Sequence, residues 1–128
     1  NPVLRPGDDK KYSGDFAGAH YILKKDGKYV MWYALAQDIG GERTKETGYA
    51  VSKDGIHWDK HEKVAVLTRG KSGEWDSKEA ARNFVMFEEG VFKMWYKGGD
   101  GNVNAIGFAT SKDGINWEKH GKNPVLAP

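Results

Sequence analysis

Large apolar side chains recur in two short stretches, Tyr29-Val30-Met31-Trp32-Tyr33 and Phe92-Lys93-Met94-Trp95-Tyr96. Successive side chains of a strand point to opposite faces. The pattern therefore puts Tyr or Phe, Met and Tyr on one face and Trp on the other. Bulk on both faces predicts strands that are covered on both sides. Each stretch follows a shorter apolar run, "HYIL" at 20–23 and "NFVMF" at 83–87. The intervening "KKDGK" and "EEGV" read as hairpin turns in which glycine supplies the positive φ. Further strands are expected at "TGYAVS" (47–52) and "IHWDKH" (56–61), which makes a meander of four short strands. No segment has the apolar spacing of a long amphipathic helix.

The pattern occurs twice. "GYAVSKDGIHWDKH" at 48–61 matches "GFATSKDGINWEKH" at 107–120, an offset of 59 residues, whereas "DGKYVMWY" (from 26) and "EGVFKMWY" (from 89) are 63 apart. The difference falls between Tyr33 and Gly48, where "ALAQDIGGERTKET" is expected to form an inserted loop longer than the second copy's "KGGDGNVNAI". "NPVL" at 1–4 corresponds to "VAVL" at 64–67 and returns intact at 123–126. The chain thus divides into a first unit at 1–63, a second at 64–122, and residues 123–128 as the start of a third unit or a strand-exchange segment.

Units of about 60 residues with four short strands, each needing neighbours on both faces, describe blades of a β-propeller. The predicted class is all-β, with two four-stranded antiparallel blades. In that setting the repeated "SKDG" is expected to be structural. Ser52 and Asp54, and likewise Ser111 and Asp113, can bond backbone amides across a tight turn that glycine relieves, while Trp58 or Trp117 returns to pack on the blade. A residue needed identically in each blade has no singular chemical role.

Composition narrows the function classes. Twenty basic and 18 acidic residues leave a formal charge of +2, and the basic residues lie in scattered pairs such as Lys10-Lys11 and Lys24-Lys25. This argues against a nucleic-acid partner. No run approaches the roughly 18 apolar residues of a membrane helix, so no membrane partner is expected. The absence of cysteine excludes disulfides and thiolate metal sites. His57 and His61 sit at a spacing that pairs ligands on a helix but not on a strand. No metal site and no cofactor is expected.

"NPVL", "DGKYVMWY", "GYAVSKDGIHW" and "NPVLAP" resemble the blade repeat of the five-bladed propeller glycosidases, the superfamily that includes glycoside hydrolase families 32, 43 and 130. The "SKDG" turn is similar to a shortened sialidase Asp-box. The resemblance implies a carbohydrate ligand in a funnel on the propeller axis, with carboxylates near the starts of inner strands. Carried onto "GDFAGAH" (14–20) and "EWDSKEAARN" (74–83), it makes Asp15, Asp76 and Glu79 the catalytic candidates. His20, Arg82 and Asn83 become substrate-binding candidates, and Trp75 either a sugar-stacking platform or an interblade packing residue. The inner-strand Asp-Pro common in family 43 is absent from both units. "ERTKE" at 42–46 is expected on the outer edge, away from a ligand.

Two functional readings follow. In the first, the chain is a two-blade part of a carbohydrate-active propeller, incomplete as a catalyst alone, because the superfamily spreads its acid and base over several blades. In the second, it is a self-assembling scaffold or sugar-binding module without catalysis. Both expect exposed blade faces to be covered, by homo-oligomerisation or by further blades of a longer chain.

Overall fold

The computed structural model describes residues 17–128. Unit one comprises β1 (Ala17–Lys25), β2 (Lys28–Ile39), β3 (Glu42–Ser52) and the two-residue β4 (Asp59–Lys60). Unit two repeats it as β5 (Glu79–Glu88), β6 (Val91–Gly99), β7 (Asn104–Ser111) and β8 (Glu118–Lys119). Within each unit neighbours pair antiparallel in chain order. A single parallel bridge, Lys45 to Glu79, joins the units. The fold is all-β and propeller-type, and its sheet is not closed. Among the described residues no helix is long and apolar enough to cross a membrane.

The expected hairpins are present. Asp26-Gly27 (φ 52° and 73°) and Glu89-Gly90 (φ 53° and 78°) form two-residue loops with both residues left-handed, the turn whose twist suits paired strands. The expected loop at 34–47 is different. β2 and β3 continue through it, pairing from Ala34–Thr47 to Ile39–Glu42 around Gly40-Gly41 (φ 58° and 83°). Two adjacent glycines make the same left-handed turn, so the inserted residues lengthen a hairpin instead of looping out. In unit two the strands end at Gly99 and Asn104. There the Asp100 carboxylate closes the turn by accepting the Asn102 and Val103 amides at 2.8 and 2.9 Å.

The fourth strand is shorter than expected because the "SKDG" turn occupies its first residues. Ser52 Oγ accepts the Gly55 amide at 2.8 Å, Asp54 Oδ1 accepts the Ile56 and His57 amides at 2.8 Å, and the Trp58 indole donates to the Gly55 carbonyl at 3.1 Å. Ser111, Asp113 and Trp117 repeat these bonds. Asp54 lies below the usual carboxylate range, chiefly because the His57 ring bonds it, and Asp113 does so chiefly through the Asn116 amide.

The main core lies between the units. Val30, Trp32 and Tyr49 of unit one pack with Val85, Phe92, Met94 and Tyr96 of unit two. Residues 64–67 and 123–126 each lie against the preceding unit: Leu67 bridges Thr47, and Leu126 bridges Ile106. A second cluster on the other face of unit one gathers Met31, Tyr33, Leu35, Ala50 and Ala65.

Candidate functional site

The site forms where β5 begins. Along β5, Ala81 pairs with Lys97 and Phe84 with Trp95, so Arg82 and Asn83 together oppose one residue of β6. Arg82 takes φ 53°. A bulge of this kind re-aims the side chains it carries. Here Arg82 emerges to solvent while Asn83 turns inward. β1 shifts register in the same place, between Gly18 and Tyr21, and there His20 occupies the position of Asn83 and is exposed.

Glu79 sits at the centre of a cationic group. Its Oε2 accepts from Lys97 Nζ at 2.8 Å, and its Oε1 lies 3.2 Å from Arg82 Nε. The second contact lacks hydrogen-bond geometry, so Oε1 is buried with an ion-pair partner but no donor aimed at it. Across the interunit bridge, Lys45 has a lowered pKa. Burial is the main cause, and the nearby charges of Arg82, Lys97 and Arg43 act in the same direction against the opposing effect of Glu79. Lys78 Nζ bonds Glu42 at 3.0 Å. Arg43, Lys45, Lys78, Glu79, Gly99 and Asn104 line a small cleft of about 140 Å³. Behind it, Asn83 Nδ2 donates to Thr47 Oγ1 at 3.4 Å, and Thr47 Oγ1 donates to the Ala80 carbonyl at 3.0 Å. The Asn83 Oδ1 is buried without a partner, an arrangement that costs free energy unless a ligand or water fills it.

Asp76, three residues before Glu79, belongs to another network. It is buried, accepting from Lys119 Nζ at 2.7 Å and from the Tyr96 hydroxyl at 3.1 Å. Burial, and then the Asp76 charge, pushes the Tyr96 hydroxyl well above the ordinary tyrosine value. The Asp76 backbone carbonyl also accepts the Gly70 amide at 3.1 Å. A Cβ at Gly70 would collide with the Asp76 carboxylate. Trp75 stacks near Tyr96 (5.8 Å between rings) and over Gly98, where a Cβ would strike its ring. It is packing material inside unit two, outside the cleft.

Glu79 and Arg82 thus come together, Asn83 turns inward onto Thr47, Asp76 and Trp75 lie in the core, and Asp15 lies outside the described residues. Lys45, Lys97, Arg43, Lys78 and Thr47 were not anticipated. "ERTKE", expected on an outer edge, is the start of β3 and lies beside Glu79 through the Lys45 bridge. No alternation or repeat signal marks that neighbourhood, because the bridge joins residues from different units. Among the described residues no group of three or more His, Asp or Glu side chains could hold a metal ion.

Comparison with known proteins bears on this arrangement. No protein-family model matches the chain. An uncharacterised Mycobacterium tuberculosis protein (strain H37Rv) is 36% identical over 108 residues, covering 80% of this chain and 34% of the relative. A 1,2-β-oligomannan phosphorylase of Thermoanaerobacter sp. (strain X514) is 31% identical over 128 residues, covering 94% and 42%. A solved structure from work on the GH130 mannoside phosphorylase family, which contains hydrolases targeting β-1,2-mannosidic linkages in Candida mannan, superposes with TM-score 0.79 at 26% identity, covering 94% of this chain and 38% of that one. A family 117 glycoside hydrolase from Zobellia galactanivorans shares the fold, with TM-score 0.80 at 23% identity over 97% of this chain and 37% of that one. The structural neighbours are glycosidases of families 130, 117 and 32. The chain spans well under half the length of each relative described here.

Proposed function

We propose that this chain is a two-blade part of a carbohydrate-active propeller acting on β-linked mannosides, with the cleft at Glu79 as its contribution to the ligand site. The observation that carries the reading is the group Glu79–Arg82–Lys97 at a bulged inner-strand start. A carboxylate there can accept sugar hydroxyls, Arg82 supplies donors, and the unpartnered Asn83 Oδ1 is a further acceptor. The group carries more positive than negative charge. Arg43, Lys45, Lys78, Arg82 and Lys97 face Glu42, Glu79 and, 3.5 Å from Arg43, Asp38. Such an excess suits an anionic co-substrate, and the phosphorylase relative supports inorganic phosphate in that role. Cleavage needs a second reacting carboxyl or acid. Asp76 is engaged by Lys119 and Tyr96, so the partner would come from other blades of the five-bladed ring that the sequence resemblance implies.

Calorimetric titration with β-1,2-mannobiose and with inorganic phosphate tests this. Phosphate binding that weakens with salt and is lost in Arg82→Ala, with no turnover by the chain alone, is the expected result. Mannoside binding that is indifferent to Arg82→Ala and Glu79→Gln would remove the site. The second reading, a sugar-binding assembly without catalysis, is favoured by the separate lysine pairing of Asp76 and Glu79. It predicts mannoside binding with no phosphate-dependent cleavage even after the missing blades are supplied.

A further inference from the structure

Glu79 is reached through a short segment whose backbone is tied at successive residues. The Ser77 amide donates to the Glu74 carbonyl at 3.2 Å and the Lys78 amide to the Gly99 carbonyl at 2.9 Å, while the Lys78 carbonyl accepts the Lys45 amide at 2.9 Å. The Ser77 carbonyl is held by a side chain instead, accepting from Arg69 Nη1 at 3.1 Å. Arg69 is anchored in turn by Glu46, whose Oε1 accepts the Arg69 amide at 3.1 Å and lies 3.9 Å from Arg69 Nε. Glu46 is buried and directly follows Lys45 of the cleft. These contacts close a circuit from Lys45 through Glu46, Arg69, Ser77 and Lys78 back to Lys45.

The Glu46–Arg69 pair is not part of the repeat. An offset of 59 residues carries Thr47 and Leu67 onto Ile106 and Leu126, and the two bridges agree: Val66 and Leu67 donate to the Thr47 carbonyl as Val125 and Leu126 donate to that of Ile106. The same offset carries Glu46 onto Ala105 and Arg69 onto Pro128. The bridge therefore forms without a carboxylate and a guanidinium. Of the two bridges, the one that has the pair leads into Glu79.

We infer that Arg69 is a positioning residue of the Glu79 cleft, on the reading of that cleft as the ligand site. Held by Glu46, its guanidinium fixes the Ser77 carbonyl and with it the spacing of Glu79 against Lys45. A guanidinium suits the task because its rigid planar fork reaches two acceptors at once, which a single ammonium on a flexible stem does not.

Arg69→Met, which keeps much of the side chain's length and removes its donors, tests this with two readouts. The first needs no ligand. Lys45 is lowered mainly by burial, against the opposing charge of Glu79; both effects fade as the cleft loosens, so an NMR titration of its side chain should move up toward 10.5. The second is calorimetry with inorganic phosphate, whose binding should weaken by about tenfold or more. Asp113→Ala, a turn variant outside the cleft, controls for lost stability and should change neither readout, and Arg69→Lys should fall between. If Arg69→Met fails to fold, Glu46→Gln takes its place, because it keeps an acceptor for the Arg69 amide and removes the charge that holds the guanidinium. A wild type that binds no phosphate would remove the proposed ligand, while the lysine titration still decides the positioning. A Lys45 titration left unchanged by Arg69→Met, or moved equally by Asp113→Ala, would overturn the role of Arg69.

Discussion

The two units share a sequence pattern but not an environment. In unit one, β2 is buried without a break from Val30 to Ala36. In unit two, β6 alternates between buried and half-buried residues from Val91 to Lys97. Trp32 and Trp95 are equivalent in the repeat, yet one is fully buried against the next unit and the other borders solvent. The apolar pattern therefore records a need for covering, and the neighbouring unit decides whether it is met. Among the described residues the face of unit one has its partner, and the same face of unit two has none.

The largest test of that contrast is a pair of truncations. Trp32→Ala should cost about 3–5 kcal/mol, the range for a large aromatic removed from a core. Trp95→Ala should cost about 1 kcal/mol or less. Thermal or urea unfolding measures both, and equal losses would mean that the faces are equivalent after all.

A second test uses the position that is Leu35 in unit one and Gly98 in unit two. A Cβ at Gly98 would strike Trp75 and Asp76, so Gly98→Ala should cost about 1–3 kcal/mol by overpacking. Unit one's long hairpin accommodates the leucine. Free tolerance of Gly98→Ala would show that Trp75 is not held over that strand.

The third test compares the turns. Asp113 accepts two amides and the Asn116 side chain, and Asp113→Ala should lower stability by about 1 kcal/mol. The Asp113 turn also receives the Trp32 indole at the Gly114 carbonyl, so Asp54→Ala should lower the melting temperature less. Neither should change mannoside affinity; a variant that kept its melting temperature but lost affinity would contradict the structural role.

The smallest effect is a pH dependence present only in the first turn. His57 Nδ1 lies 2.7 Å from Asp54, which raises the histidine above its ordinary 6.5. A raised pKa stabilises fully below the unfolded value, so this contribution is present below about pH 6.5 and fades as pH climbs through the folded value. Asp54 is depressed, so its contribution is present above its ordinary 3.8 and fades on acidification. NMR titration should place His57 above 6.5. His57→Asn, which copies unit two, should remove the loss on the alkaline side; an unchanged profile would exclude the pair as its source.

Much of this architecture was legible in the sequence because it depends on contacts a few residues apart. The two-residue turns at Asp26-Gly27 and Glu89-Gly90 need left-handed backbone, the strands beside them need alternation, and the "SKDG" turn needs a hydroxyl, a carboxylate and a glycine in fixed order. All three requirements are local and leave residue-by-residue marks. The candidate site was legible only in part. "EAARN" pointed to Glu79, Arg82 and Asn83 through family resemblance, and the bulge at Arg82 puts Arg82 against Glu79 while it turns Asn83 inward.

What required the tertiary structure was everything decided between units. Gly40-Gly41 looks like a loop until two long strands are seen to pair across it. Lys45 reaches Glu79 only because β3 and β5 meet at one parallel bridge, and Asp76 is withdrawn from the cleft because Lys119 and Tyr96, 43 and 20 residues away, enclose it. Such contacts are fixed by packing between distant segments, and a carboxylate shows no difference in sequence between a buried lysine's partner and a ligand's. Local chemistry is written in the order of residues, whereas burial and charge pairing depend on which surfaces the completed fold brings together.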